Sequence, residues 1–110
     1  AKPKILNSEI DEWKKDMQTL SSFQNVFCKF SGVLTEVGSD YSKSQIEPYV
    51  DFILNLFSPN KTMWGSDWPV LTMAENYGNW FDLAMDFCNS FSESEKNMIF
   101  ANTAKNFYNI

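Results

Sequence analysis

Two short apolar runs, at residues 25–32 and 61–65, stand on either side of a helical pattern, and that order constrains the fold more than any other feature of the chain. The first, Asn25-Val26-Phe27-Cys28-Lys29-Phe30-Ser31-Gly32, mixes β-branched and aromatic residues and closes on glycine. It reads as a strand buried on both faces. Between the runs, Ser44 and Glu47 form a capping box, and Ile46, Val50, Ile53, Leu54 and Phe57 mark the buried stripe of a helix. Pro48 is tolerable there because it falls in the first turn, and Ser58-Pro59-Asn60 ends the helix. A strand, helix, strand order across residues 25–65 pairs its strands in parallel through a right-handed crossover.

The flanking segments are helical. Asn7 or Ser8 can cap a helix whose positions Ile10, Trp13, Met17 and Leu20 share one face, ending near Ser21-Ser22. Residues 35–43 form a polar loop, and a second loop at 66–78 leads to a helix carrying Trp80, Phe81, Leu83, Ala84, Phe87 and Cys88. Ser92 and Glu95 cap a further helix through Met98 and Ile99, with Asn102 predicting a break before Ala104, Phe107 and Tyr108. Trp13, Trp80, Phe81, Phe87 and Phe107 sit at helical spacing and are expected in the core. This inventory does not close, because two parallel strands leave both sheet edges unpaired and too little structure to cover them. The chain therefore reads as part of a larger α/β protein, with a compact α+β domain as the alternative.

Directly after the second run, Trp64-Gly65-Ser66-Asp67-Trp68-Pro69 presents one carboxylate before a proline that stops any ladder or helix. Parallel α/β proteins build their sites at the carboxyl ends of strands, so Asp67 is a catalytic candidate; a helix cap or Asx-turn is the competing structural role. The chain has no histidine. A histidine triad, a His general base and an imidazole zinc site are thus impossible from these residues alone. Cys28 and Cys88 lie in apolar surroundings without metal-ligand spacing and read as reduced core residues. With 9 Lys plus Arg against 14 Asp plus Glu, the 110 residues carry a net charge of −5 and no basic stripe. That argues against nucleic acid and anionic membrane as partners. No stretch approaches the roughly 20 apolar residues of a membrane span, and no signal core follows Ala1-Lys2-Pro3-Lys4; the expectation is a soluble, cytoplasmic chain.

Three blocks, residues 25–32, residues 64–69 and Ile99-Phe100-Ala101-Asn102-Thr103-Ala104-Lys105-Asn106-Phe107-Tyr108, resemble in order and spacing the last strands and closing helix of the amidohydrolase-related TIM-barrel hydrolases. This is the amidohydrolase-2 type, whose branch includes sugar lactonases and pyrone-dicarboxylate lactonase. Ala1-Lys2-Pro3 is similar to the segment that follows a strand-end Asp-His pair in that family. The resemblance spans residues 1–110 as a single segment and implies an α/β fold, the C-terminal part of a (β/α)8 barrel: strands seven and eight with their helices, incomplete as an isolated chain. A closed barrel takes about 250 residues, and on this alignment the chain begins about two residues after the strand-six histidine and stops where the family stops. Thr103 stands where these proteins usually have Asn, and Lys105-Asn106 where a small residue and Arg are common. Both departures lie in the closing helix.

The resemblance implies a hydrolase acting on an acidic or sugar lactone or a related cyclic ester. Asp67 matches the strand-eight aspartate that activates the hydrolytic water or binds a metal. It is therefore both the catalytic and the metal position, with histidine ligands expected on strands outside this chain. The implied cofactor is a divalent metal such as zinc, although some members of the branch work without one. Strand parity puts Lys29 and Ser31 on the barrel-interior side, where Lys29 would pair with Asp67 or with an acidic substrate; the alternative is a lysine on an edge strand whose charge reaches solvent. Trp68 is either a wall of the substrate pocket or core, and Gly65 leaves room beside Asp67. The remainder of the barrel is the expected partner, and the 110 residues alone are expected to be inert. Rival readings are a noncatalytic α+β binding or oligomerisation module, and a decarboxylase built on the same strand-end residues.

Overall fold

Parallel pairing is what the chain adopts. In the computed structural model, which describes residues 2–110, β1 (Cys28–Phe30) lies beside β2 (Thr62–Trp64), with Cys28 opposite Thr62, Lys29 opposite Met63 and Phe30 opposite Trp64. Ala1, the first residue of the expected strand-end segment, lies outside the described residues. The strands are shorter than the apolar runs that predict them. Nor is β1 buried on both faces: Phe30 is 3% exposed, whereas Lys29 is open to solvent. The pleat turns Lys29 to the face opposite Phe30, a face it shares with its register partner Met63, which is only 3% exposed.

Helices clothe the other face. α1 (Asp11–Ser21) precedes β1, α2 (Lys43–Phe57) connects the strands, and α3 (Tyr77–Phe87) follows β2. The core joins Phe30 to Ile46, Val50 and Leu54 of α2 and to Trp80, Ala84 and Phe87 of α3. Phe30 meets Trp80 edge-on at 5.2 Å between ring centroids, an arrangement that lets the ring quadrupoles attract. A second cluster, Met17, Ile53 and Phe57, seats α1 on α2.

Several element boundaries differ from expectation. Neither Asn7 nor Ser8 caps α1. Residues Ile5–Asn7 form a 3-10 turn that Ser8 terminates with φ 54, and Ile10 stands at the N-cap without a side-chain bond. The box that opens α2 is Ser42 with Gln45, whose Oε1 accepts from Ser42 N at 2.8 Å, rather than Ser44 with Glu47. Pro48 accordingly lies inside the helix, beyond the first turn. The Ser92–Glu95 box forms as expected, with bonds of 2.9 and 3.1 Å, and opens α4 (Glu93–Asn97). No break follows at Asn102: a π-helical turn, Met98–Asn102, absorbs the irregularity and runs into α5 (Thr103–Tyr108). Thr103 Oγ1 donates to the Pro59 carbonyl at 2.7 Å, so α5 is pinned to the turn that launches β2. Phe81 and Phe107 are 36% and 47% exposed rather than core, because no further layer covers them. Among the described residues, no helix is long and apolar enough to cross a membrane.

Candidate active site

Beyond Trp64 the chain stays attached to its neighbours. Gly65 N donates to the Phe30 carbonyl at 3.1 Å, and Trp80 Nε1 reaches from α3 to the Gly65 carbonyl at 3.0 Å. A Cβ on Gly65 would stand 3.1 Å from Ser31 Oγ and 3.3 Å from Ser31 Cβ, so these two residues face each other across the strand ends. Asp67, two residues further on, turns with φ 59, a left-handed conformation uncommon outside glycine and met at functional turns. Its carbonyl accepts from Leu71 N at 2.8 Å. Ser66 Oγ accepts from Trp68 N at 3.2 Å, a backbone duty, and the Trp68–Pro69 peptide is cis.

The Asp67 carboxylate serves no cap. Its Oδ2 is buried with no hydrogen-bond partner among the described residues. Leaving a carboxylate oxygen buried and unpaired is costly, and native structures keep few such atoms. Gly32 provides the room beside it. A Cβ there would lie 3.5 Å from Asp67 Oδ2, 3.7 Å from Asp67 Cγ and 3.8 Å from Lys2 Nζ, and Gly32 itself has φ +72. Lys2 pairs with Glu36, its Nζ 3.0 Å from Glu36 Oε1.

Four sequence-predicted residues thus separate in space. Ser31 and Asp67 share the strand-end cluster with Gly32 and Gly65. Trp68 is 67% exposed beside them and is not core. Lys29 lies lower on β1 and is solvent-exposed, and among the described residues no ion pair joins it to Asp67. The cation brought closest to that carboxylate's surroundings is Lys2, which parity along β1 could not reveal because it belongs to neither strand. Lys2, Lys29, Ser31, Gly32 and Glu36 also line a cavity of about 300 Å³, floored by apolar residues of α1 and α2 along the free edge of β1. Asp67 is not among the residues that line it.

The donor set bears on a metal. Among the described residues, no three His, Cys, Asp or Glu side chains gather into a group that could hold an ion. The orphaned Oδ2 of Asp67 fits the role of a single oxygen ligand. The remaining ligands would have to come from outside these residues.

The chain matches the amidohydrolase family over residues 1–110. It is 34% identical over 114 aligned residues to an L-fucono-1,5-lactonase of Burkholderia ambifaria, an alignment covering all of this chain and 39% of the relative. A second L-fucono-1,5-lactonase, from Burkholderia multivorans, is 29% identical over 110 residues, with 93% of this chain and 36% of the relative covered. The fold superposes on a zinc-bound amidohydrolase from Burkholderia multivorans with a TM-score of 0.87 at 30% identity, covering 98% of this chain and 41% of that one. The chain therefore spans about two fifths of the length of the proteins it matches.

Proposed function

Because this chain belongs to the amidohydrolase family, we propose that it is the C-terminal part of a (β/α)8-barrel hydrolase that opens a sugar lactone or related cyclic ester. In this reading β1 and β2 are strands seven and eight, and Asp67 is the group that activates water. The observation that carries it is the Asp67 Oδ2 atom, buried and without a donor among the described residues, just past the end of a parallel strand. No donor among them occupies its lone pairs, as a proton acceptor requires. Two lactonases among the relatives point to the substrate class. Ser31 and Trp68 border the strand end that carries Asp67, and they and Lys29, which lies lower on β1, are assigned to substrate contact. The remainder of the barrel is the partner, and the open edge of β1 with its apolar floor is consistent with an adjoining strand. The free thiols of Cys28 and Cys88 fit a reducing, cytoplasmic setting.

A divalent metal such as zinc, where bound, supplies Lewis-acid activation of water, and Asp67 is the ligand this chain contributes. This chain's own residues hold the carboxylate in place: Leu71 N fixes the Asp67 carbonyl, and Gly32 keeps the space beside Oδ2 open.

The test is hydrolysis of L-fucono-1,5-lactone by the intact protein and by its Asp67→Asn variant. Turnover in the first, lost by at least about 100-fold in the second, is the expected result. Equal turnover removes Asp67 from the mechanism. Carbon dioxide release from an unsaturated acid, without lactone hydrolysis, would point to the decarboxylase chemistry instead.

A further inference from the structure

We propose that Lys2 is a second catalytic residue of the Asp67 site, its ammonium stabilising the carbonyl oxygen of the ring ester as that oxygen gains negative charge. The proposal rests on the lactone-hydrolase reading above. Three observations carry it. A single point over Gly32 lies 3.5 Å from Asp67 Oδ2 and 3.8 Å from Lys2 Nζ, so the two charges look onto the same space. Gly32 leaves that space empty of side chain. And Lys2 is drawn to Glu36 at 3.0 Å and makes no ion pair with Asp67.

Lys2 keeps 67% of its side chain exposed while paired with Glu36, so its ammonium is not locked in the core. An ammonium carries three donors, and Glu36 occupies one direction, leaving others to turn toward Gly32. A carboxylate oxygen without a partner among the described residues and an ammonium paired only with Glu36, set on either side of a position without a Cβ, suit a reaction that needs a base on one side and a cation on the other. Lys2 also lines the cavity that Lys29 and Ser31 border, which links it to the proposed substrate contacts.

The step balances with water as the only co-reactant. Water oxygen attacks the carbonyl carbon while Asp67 takes a water proton, and the carbonyl π pair moves onto the oxygen beside Lys2. The tetrahedral centre then re-forms the carbonyl and breaks the ring C–O bond. The leaving ring oxygen collects the proton held by Asp67, and one hydroxy acid is released. Stabilising charge where it develops is worth more than binding the ground state, and fixed donors of this kind contribute about 100-fold or more in turnover.

The test compares Lys2→Gln and Lys2→Arg in the intact protein with L-fucono-1,5-lactone. Lys2→Gln should lower kcat by about 100-fold with KM changed less than about threefold, the split expected of an interaction made only in the transition state. Lys2→Arg, which keeps the charge, should recover at least about a tenth of wild-type kcat. Unchanged kcat in Lys2→Gln, as a solvent-facing salt bridge to Glu36 alone would give, overturns the proposal. So does an equal loss in both variants, because charge would then not matter. Loss in Asp67→Asn beside an unaffected Lys2→Gln sinks the Lys2 role and leaves the hydrolase reading standing. A wild-type protein that opens no lactone removes both.

Discussion

Trp80, only 1% exposed, donates its indole N–H to the Gly65 carbonyl at 3.0 Å, and so ties the first turn of α3 to the backbone two residues before Asp67. One side chain therefore serves the core, through its edge contact with Phe30, and the strand tip, through its single polar atom. Trp80→Phe removes the donor and leaves a carbonyl unpaired. Denaturant unfolding of the intact protein should show a loss of about 1–3 kcal/mol, more than the bond's net worth because the buried acceptor is stranded. A change below about 0.5 kcal/mol would mean that the carbonyl finds water instead.

Gly65 and Ser31 share a space that admits only one side chain. Gly65→Ala puts a Cβ at 3.1 Å from Ser31 Oγ, and the neighbour must move. The expected cost is about 1–3 kcal/mol, as for other overpacked sites. Adding Ser31→Gly should return part of it, and a double-mutant cycle that instead gives additive losses would show that the two do not compete.

Thr103→Val preserves the shape of a residue only 1% exposed but deletes its bond to the Pro59 carbonyl. Stability should fall by about 1–2 kcal/mol. Hydrogen exchange should show faster opening of α5, while amides of α2 keep their protection.

Cys88 predicts an alkaline weakening. Burial pushes its thiol from 9.0 up to about 11. Below pH 9 the folded and unfolded chains both hold the proton, and the thiol contributes nothing to pH dependence. Between 9 and 11 the unfolded chain releases it while the fold keeps it, so stability falls as pH rises, by at most about 1.4 kcal/mol per pH unit from this group. Unfolding curves at pH 8 and pH 10 should show the decline, and Cys88→Ala should lessen it, leaving the share of Cys28, whose thiol burial also pushes up to about 11.

Much of the architecture was legible along the chain. The aromatic and β-branched run at 25–32 and the helical stripe from Ile46 to Phe57 foretold two parallel strands with a helix between them, and Ser92 with Glu95 marked a real helix start. The misplaced caps have two causes: near α2 several serines stand together and local chemistry does not say which the packed helix will use, whereas α1 starts at Ile10 with no side-chain cap at all, because Asn7 and Ser8 belong to the preceding 3-10 turn and its end. The continuity through Asn102 was hidden because a π turn has no strong local signature.

By itself the sequence determined the parallel strand order, the acid set just past a strand tip, and the absence of any histidine to act with it. These depend on residue type and on periodicities of two and 3.6, which are local properties. Only the tertiary structure decided that Asp67 Oδ2 is buried without a partner, that Gly32 opens the space beside it, and that Lys2 rather than Lys29 stands nearest that space. Those facts join residues some thirty positions apart, and the distance between them is set by how strand ends and turns pack rather than by anything written along one segment.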